Sequence, residues 1–356
     1  MNKFYRVVWC VSRSGLVGAS ELTSSQMKSC RVKKLRLLTT ASIVLLLGGV
    51  QSVWANTISS NGSCVGVPNL TDTVGRIAIT SNTAGPTDGN GTYSNVAGCN
   101  ASAAGVLGGT IYGTYSIVNG TGGSVFGLNS SAVKWGSAFG LETVASGTGS
   151  TALGFGSNAT ASNSVAIGGA GGDGTTALSV ANSTTASGTG SIAIGSNTVK
   201  GAQAIGTDAI AIGAQSGASA ASATALGVRA NATQSNAVAL GSNASASGAS
   251  STAIGNGASA SQLGTIAIGN SSTASATNAI SIGSGNNVSG ANSGSIGDPT
   301  TITGASSYSL GNNNTINANN AFALGNTITV GSGLDGAVVL GNDSTVAAAN
   351  ATTGGT

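Results

Sequence analysis

A glycine returns every 14 residues at Gly213, Gly227, Gly241, Gly255, Gly269, Gly283, Gly297, Gly311 and Gly325. Each follows Ile or Leu, and that residue follows Ala or Ser. A fixed short period over this much chain implies stacked coils, in which each unit buries its apolar face only against its neighbours. Fourteen residues cannot hold a helix–turn–helix unit, which needs about 34, but they suffice for one turn of a flattened β-coil. The chain is therefore expected to be an elongated all-β parallel solenoid rather than a compact enzyme core.

With the glycine as position 0, position −1 is Ile or Leu throughout, from Ile212 to Leu324. Position −2 is Ala or Ser, and position −3 is commonly β-branched or aromatic, as at Ile210, Val238 and Phe322. Bulky and small residues alternating at period two make a strand with two unlike faces. A second column at +5, from Ala218 to Val330, is apolar in every unit, while +7 holds small or neutral residues. One unit then reads as two short strands and two turns, with the glycine where the chain bends tightly or takes a positive φ. Neither strand face carries charge, so both are expected to be buried. Such a rod has more apolar surface than one chain can hide, which predicts self-association along its length. The spacing leaves open which column faces the partner.

Gly195 and Gly341 close similar units at other spacings, and the 14-residue step recurs at Gly140, Gly154 and Gly168. It breaks between Gly168 and Gly195, where GGAGGDGTT intervenes, and Gly206 to Gly213 reads as an extra seven-residue step. These interruptions predict loops or register shifts. Loops on a rigid scaffold are candidate binding elements, with neutral insertion the alternative. Stacked at about 4.8 Å per coil, residues 137–340 would form a rod about 60–70 Å long.

Composition narrows the function. The 356 residues include 58 glycines, three prolines and no histidine, and 6% are charged. Eight of the twelve basic residues precede position 37; from Asn56 onward four cations stand against eight carboxylates, a net −4. Four scattered cations do not make a nucleic-acid footprint. Acid–base chemistry lacks a histidine, and Asp173, Asp208, Asp298, Asp335 and Asp343 do not share the glycine period. GGAGGD at 168–173 is a single copy of a calcium-type repeat that requires tandem copies. GSGLDG at 331–336 has the dinucleotide glycine spacing without a strand–helix context. No catalytic residue, cofactor or metal site is expected.

The first 55 residues read as an address. A basic segment ending at Arg31, Lys33, Lys34 and Arg36 precedes an apolar stretch from Leu37 to Val50 and then Val53-Trp54-Ala55. That is the plan of a secretory signal with cleavage between Ala55 and Asn56; the apolar stretch falls short of the roughly 20 residues a spanning helix needs. Cleavage would remove Cys10 and Cys30, leaving Cys64 and Cys99. In an exported chain two cysteines read as a disulfide contributing about 3–4 kcal/mol on the chain-entropy model, with two buried thiols as the alternative.

Two resemblances follow from these residues. Asn2, Lys3, Tyr5, Arg6, Val7 and Trp9, then Val17, Ser20, Glu21 and Leu22, resemble the extended signal peptide region of large Gram-negative surface proteins, chiefly autotransporters; Cys10 stands where that region often has Asn. NSVAIG (163–168), SNAVALG (235–241) and SSTAIG (250–255) resemble the YadA-like head repeats of trimeric autotransporter adhesins. The second resemblance implies a left-handed parallel β-roll, a homotrimer, and a head that attaches to a host matrix protein or cell-surface receptor. The family continues into a coiled-coil stalk and a β-barrel anchor, neither of which is found before Thr356, so a chain truncated before its stalk is expected, with a secreted, unanchored protein as the alternative. The organisation expected is a signal at 1–55, a cap or degenerate repeats at 56–136, head repeats at 137–341 and a tail at 342–356. The function expected is adhesion at the bacterial surface without chemistry; the competing reading is a structural spacer with no specific ligand.

Overall fold

The computed structural model describes residues 93–346 continuously, together with Arg76 and short strands at 5–10, 15–20, 56–57, 72–74 and 77–79. The chain divides into two units, 1–52 and 53–356. In the first, Tyr5–Cys10 and Gly15–Ser20 pair as an antiparallel hairpin. Ala55 of the expected cleavage site lies outside the described residues, while Asn56 opens a two-residue strand.

The second unit is a parallel β-solenoid. Each coil contributes a three-residue strand that ends just before its glycine and, after a turn, a second strand of two or three residues. The first strands form one parallel ladder from Asn56–Thr57 to Val338–Leu340, and the second strands form a facing sheet of fifteen. Register is one full coil per step, as in Val238↔Thr252, Ala239↔Ala253 and Leu240↔Ile254. Among the described residues the one helical element is a 3-10 turn at Val180–Asn182.

The interior is narrow and lined by small side chains. In the coil around Gly241, Ala237, Ala239, Ala244 and Ala246 are fully buried, which places positions −4, −2, +3 and +5 inside. The glycine column closes one edge. Gly241 has φ +130, and a Cβ there would lie 2.5 Å from the carbonyl oxygen of Gly255 in the next coil. The residue two places on and the one five places before the next glycine also take positive φ, as at Asn243 and Ser250. The short polar side chains of Asn, Ser and Asp tolerate that region best, which accounts for their abundance in the turns.

Two expectations change against this geometry. The strand faces are not both buried: −2 points inward and −1 points outward, half-buried at Ile212 and Ile254 and exposed at Leu226 and Leu310; the inward −2 position is mostly Ala or Ser, with Val96, Ile111, Val125 and Val339 as its larger occupants. Gly206 is not an extra step of the glycine column. It stacks between Gly188 and Ala220 at the opposite turn, and the added residues lie between Ile194 and Gln203, since Thr185 pairs with Gln203. In the region given as a cap or degenerate repeats, Asn95, Thr110, Ser124 and Ser137 pair in succession, so residues 95–136 form coils with the same two-strand plan.

Candidate functional site

The outward side of the first strands carries a continuous apolar stripe. Position −1 runs through Tyr112, Phe126, Phe139, Leu153, Ile167, Ile194, Ile212, Leu226, Leu240 and onward to Leu340. Position −3 adds Val165, Ile192, Ile210, Val238, Ile266, Ile280, Tyr308 and Phe322 beside it. The parallel in-register ladder puts each side chain directly above its counterpart. Tyr112, Phe126 and Phe139 accordingly stack, with ring centroids 5.2 and 5.0 Å apart. Leu226 is 40% exposed, Leu310 46% and Leu340 63%. The opposite sheet differs: its outward positions carry mostly Ser, Thr and Asn, as in Ser245 and Ser247, Thr273 and Ser275, and Thr301 and Thr303.

The glycine edge carries the irregular elements. The coil after Gly168 is lengthened, for Asn158 pairs with Thr185, and the one after Gly195 is lengthened by a second, shorter insertion. Both leave the roll just after the glycine. The first buries Ala170 and Leu178. Its exposed Asp173 accepts hydrogen bonds from the backbone N–H groups of Thr176 (2.6 Å) and Thr175 (2.8 Å), and these hold its carboxyl below the usual range. Asn182 O accepts from Gly201 N at 2.8 Å, joining the two insertions.

The sequence-derived residues fall as follows. Gly140, Gly154, Gly195, Gly213, Gly227, Gly241, Gly255, Gly269, Gly283, Gly297, Gly311, Gly325 and Gly341 all take positive φ, whereas Gly168, at the base of the first insertion, does not. The column extends upward through Gly98, Gly113 and Gly127. Cys99 is disulfide-bonded; Cys64, its expected partner, lies outside the described residues. Among the described residues no group of three or more His, Cys, Asp or Glu side chains could hold a metal ion, and no helix is long and apolar enough to cross a membrane. Sequence reasoning missed Arg76, whose contacts with Glu142, Leu178 and Ser183 carry no local signal.

Residues 1–50 match ESPR, the Extended Signal Peptide of Type V secretion system. The YadA head domain repeat matches at 145–169, 182–198, 204–230, 218–244 and 246–272. The gaps between the first three matches coincide with the two insertions, so the family pattern is interrupted where the coil is. No curated protein matches the chain. The signal extension and the head repeats indicate an exported, cell-surface protein. The chain thus joins an extended type V signal peptide to a roll of YadA head repeats, a combination consistent with a trimeric autotransporter adhesin.

Proposed function

We propose that the rod is the head of a surface adhesin that acts as a homotrimer and attaches to a host matrix protein or cell-surface receptor without chemistry. The observation that carries this reading is the outward stripe at −1 and −3. Apolar surface that runs unbroken along a rod is stable in water when a partner covers it. Three copies packed stripe to stripe would leave the hydroxyl-rich sheets and the glycine edges facing outward. Attachment would then use those lateral surfaces and the loops at 169–182 and 196–201. The organisation of the chain fits: a signal through Ala55, then a mature rod opening at Asn56, with Cys64 as the disulfide partner of Cys99.

The spacer reading has its own support in the second sheet, whose outward side from Gly217 to Thr329 carries no charged residue and repeats with little variation. The two are separated by binding of the assembled protein to surfaces coated with collagen, fibronectin or laminin, and to host cells. Saturable binding to one of them is the expected result; no binding to any would favour the spacer.

A further inference from the structure

The one ion pair among the described residues joins the segment at Arg76 to the coil at Gly140. Arg76 lies between the antiparallel strands Asp72–Val74 and Ile77–Ile79. Its backbone N–H donates to Glu142 Oε1 at 2.6 Å and its Nε donates to Oε2 at 2.6 Å. Its Nη1 donates to the Leu178 carbonyl at 3.0 Å and to Ser183 Oγ at 2.9 Å. The guanidinium also lies 5.6 Å from the ring centroid of Phe155, and a Cβ on Gly156 would come within 2.8 Å of Nη2.

These partners belong to three successive coils. Glu142 follows Gly140, Phe155 and Gly156 follow Gly154, and Leu178 and Ser183 lie at the end of the insertion that follows Gly168. The Glu142 side chain is 8% exposed, so its charge depends on Arg76 for compensation. The insertion itself has few other ties. Leu178 N donates to Ala170 O, Gly174 N to Gly171 O, and Gly169 N to Ser196 Oγ. A regular coil would bond to its neighbours at nearly every residue; this one is tied to the following insertion at its two ends, by Gly169 N to Ser196 Oγ and Gly201 N to Asn182 O, and to the coils above it by the Arg76 side chain.

We infer that Arg76 is a latch: it fixes the 169–182 insertion against the roll and ties the coils at Gly140, Gly154 and Gly168 into one unit at the largest break in the period. A point charge that only neutralised Glu142 would not need the second half of the guanidinium. The latch does, because Nη1 alone reaches Leu178 and Ser183 while Nε serves Glu142. Arg and Lys are not interchangeable at such a forked site.

Amide hydrogen exchange of the full chain tests this, since exchange reports local opening. In Arg76→Lys, which keeps a cation for Glu142 but loses the fork, Leu178, Gly174 and Asn182 amides should exchange about tenfold faster, with Glu142 and Val144 little changed. In Arg76→Ala the insertion amides should exchange about 100-fold faster, and those of Glu142 and Val144 should accelerate as well. Exchange at Thr224 and Val238, several coils away, should match the wild type and report intact folding. Insertion amides that exchange at the wild-type rate in Arg76→Lys would overturn the latch and reduce Arg76 to a counter-ion of Glu142.

Discussion

The coils from Gln203 to Ser281 and those from Asn287 to Val339 share one backbone plan and fill it differently. In the first group position +5 is Ala218, Ala232, Ala246, Ala260 and Ala274; in the second it is Val288, Ile302, Ile316 and Val330, all fully buried. Position −2 stays small through Ala323, with Ser281, Ser295 and Ser309, and becomes Val339 in the last coil. Position +3 changes from Ala or Ser, at Ser216, Ala230, Ala244, Ala258 and Ser272, to the larger Asn286, Thr300, Asn314 and Ile328. These new polar groups are used: Asn314 Nδ2 donates to Gly325 O at 2.8 Å and its Oδ1 accepts from Ile328 N at 2.8 Å. Outside, Asn312, Asn326 and Asn342 each accept the backbone N–H of the residue one coil earlier. The central coils are held together by backbone hydrogen bonds and alanine packing, whereas the C-terminal coils add side-chain rungs between neighbours. The glycine period fixes the backbone path, and the lumen is free to vary around it.

The strongest way to break that comparison is to attack what both groups share. Gly241→Ala places a methyl group 2.5 Å from Gly255 O at φ +130, and strain plus overpacking should cost about 4 kcal/mol. Gly331 has an ordinary φ and open space around it, so Gly331→Ala should change stability by less than about 0.5 kcal/mol. Denaturant titration of both variants checks this; equal effects would mean that the glycine column is not what closes the edge.

The lumens can be sharpened by exchange. Ile316→Ala should lose about 3 kcal/mol through the cavity it leaves, and Ala246→Ile should lose about 2 kcal/mol through crowding. A stable Ala246→Ile protein with an unchanged denaturation midpoint would show that the central lumen has room it does not use.

The smallest effect separates two serines at position −4. Ser251 Oγ is buried without a partner, while Ser293 Oγ donates to Gly304 O at 2.7 Å and accepts from Ser307 N at 3.0 Å. Ser251→Ala should therefore stabilise by up to about 1 kcal/mol, and Ser293→Ala should destabilise by about 1–2 kcal/mol. Thermal midpoints moving in the same direction in both would contradict the contrast.

Much of this was legible because the repeat is strict. Gly241 and its equivalents announce the edge, and the alternation of Leu240 with Ala239 announces a strand. Which of the two points inward was not announced by alternation alone, since −1, −2 and +5 are all largely apolar. What separates them is the inward −2 column's preference for Ala and Ser, as at Ala225, Ala239 and Ser281, although Ile111 shows that a larger residue also fits there. Gly206 misled because a glycine at +7 looks like one at 0 when four residues have been added just upstream. Coils above Ser137 could be read only as a cap or degenerate repeats because their steps are uneven, with Ser124 pairing to Ser137 and Asn95 to Thr110. Arg76 could not be placed from sequence, because its partners are 66 to 107 residues away and nothing local marks them.

The central claim is that the outward stripe is an interface between copies. Sedimentation equilibrium of residues 56–356 across micromolar concentrations tests it directly, with Leu226→Lys/Leu240→Lys as the matched variant. Three-chain mass for the parent and a shift to single chains with unchanged β content for the variant is the predicted result. A folded single chain for the parent over the whole range would contradict the account.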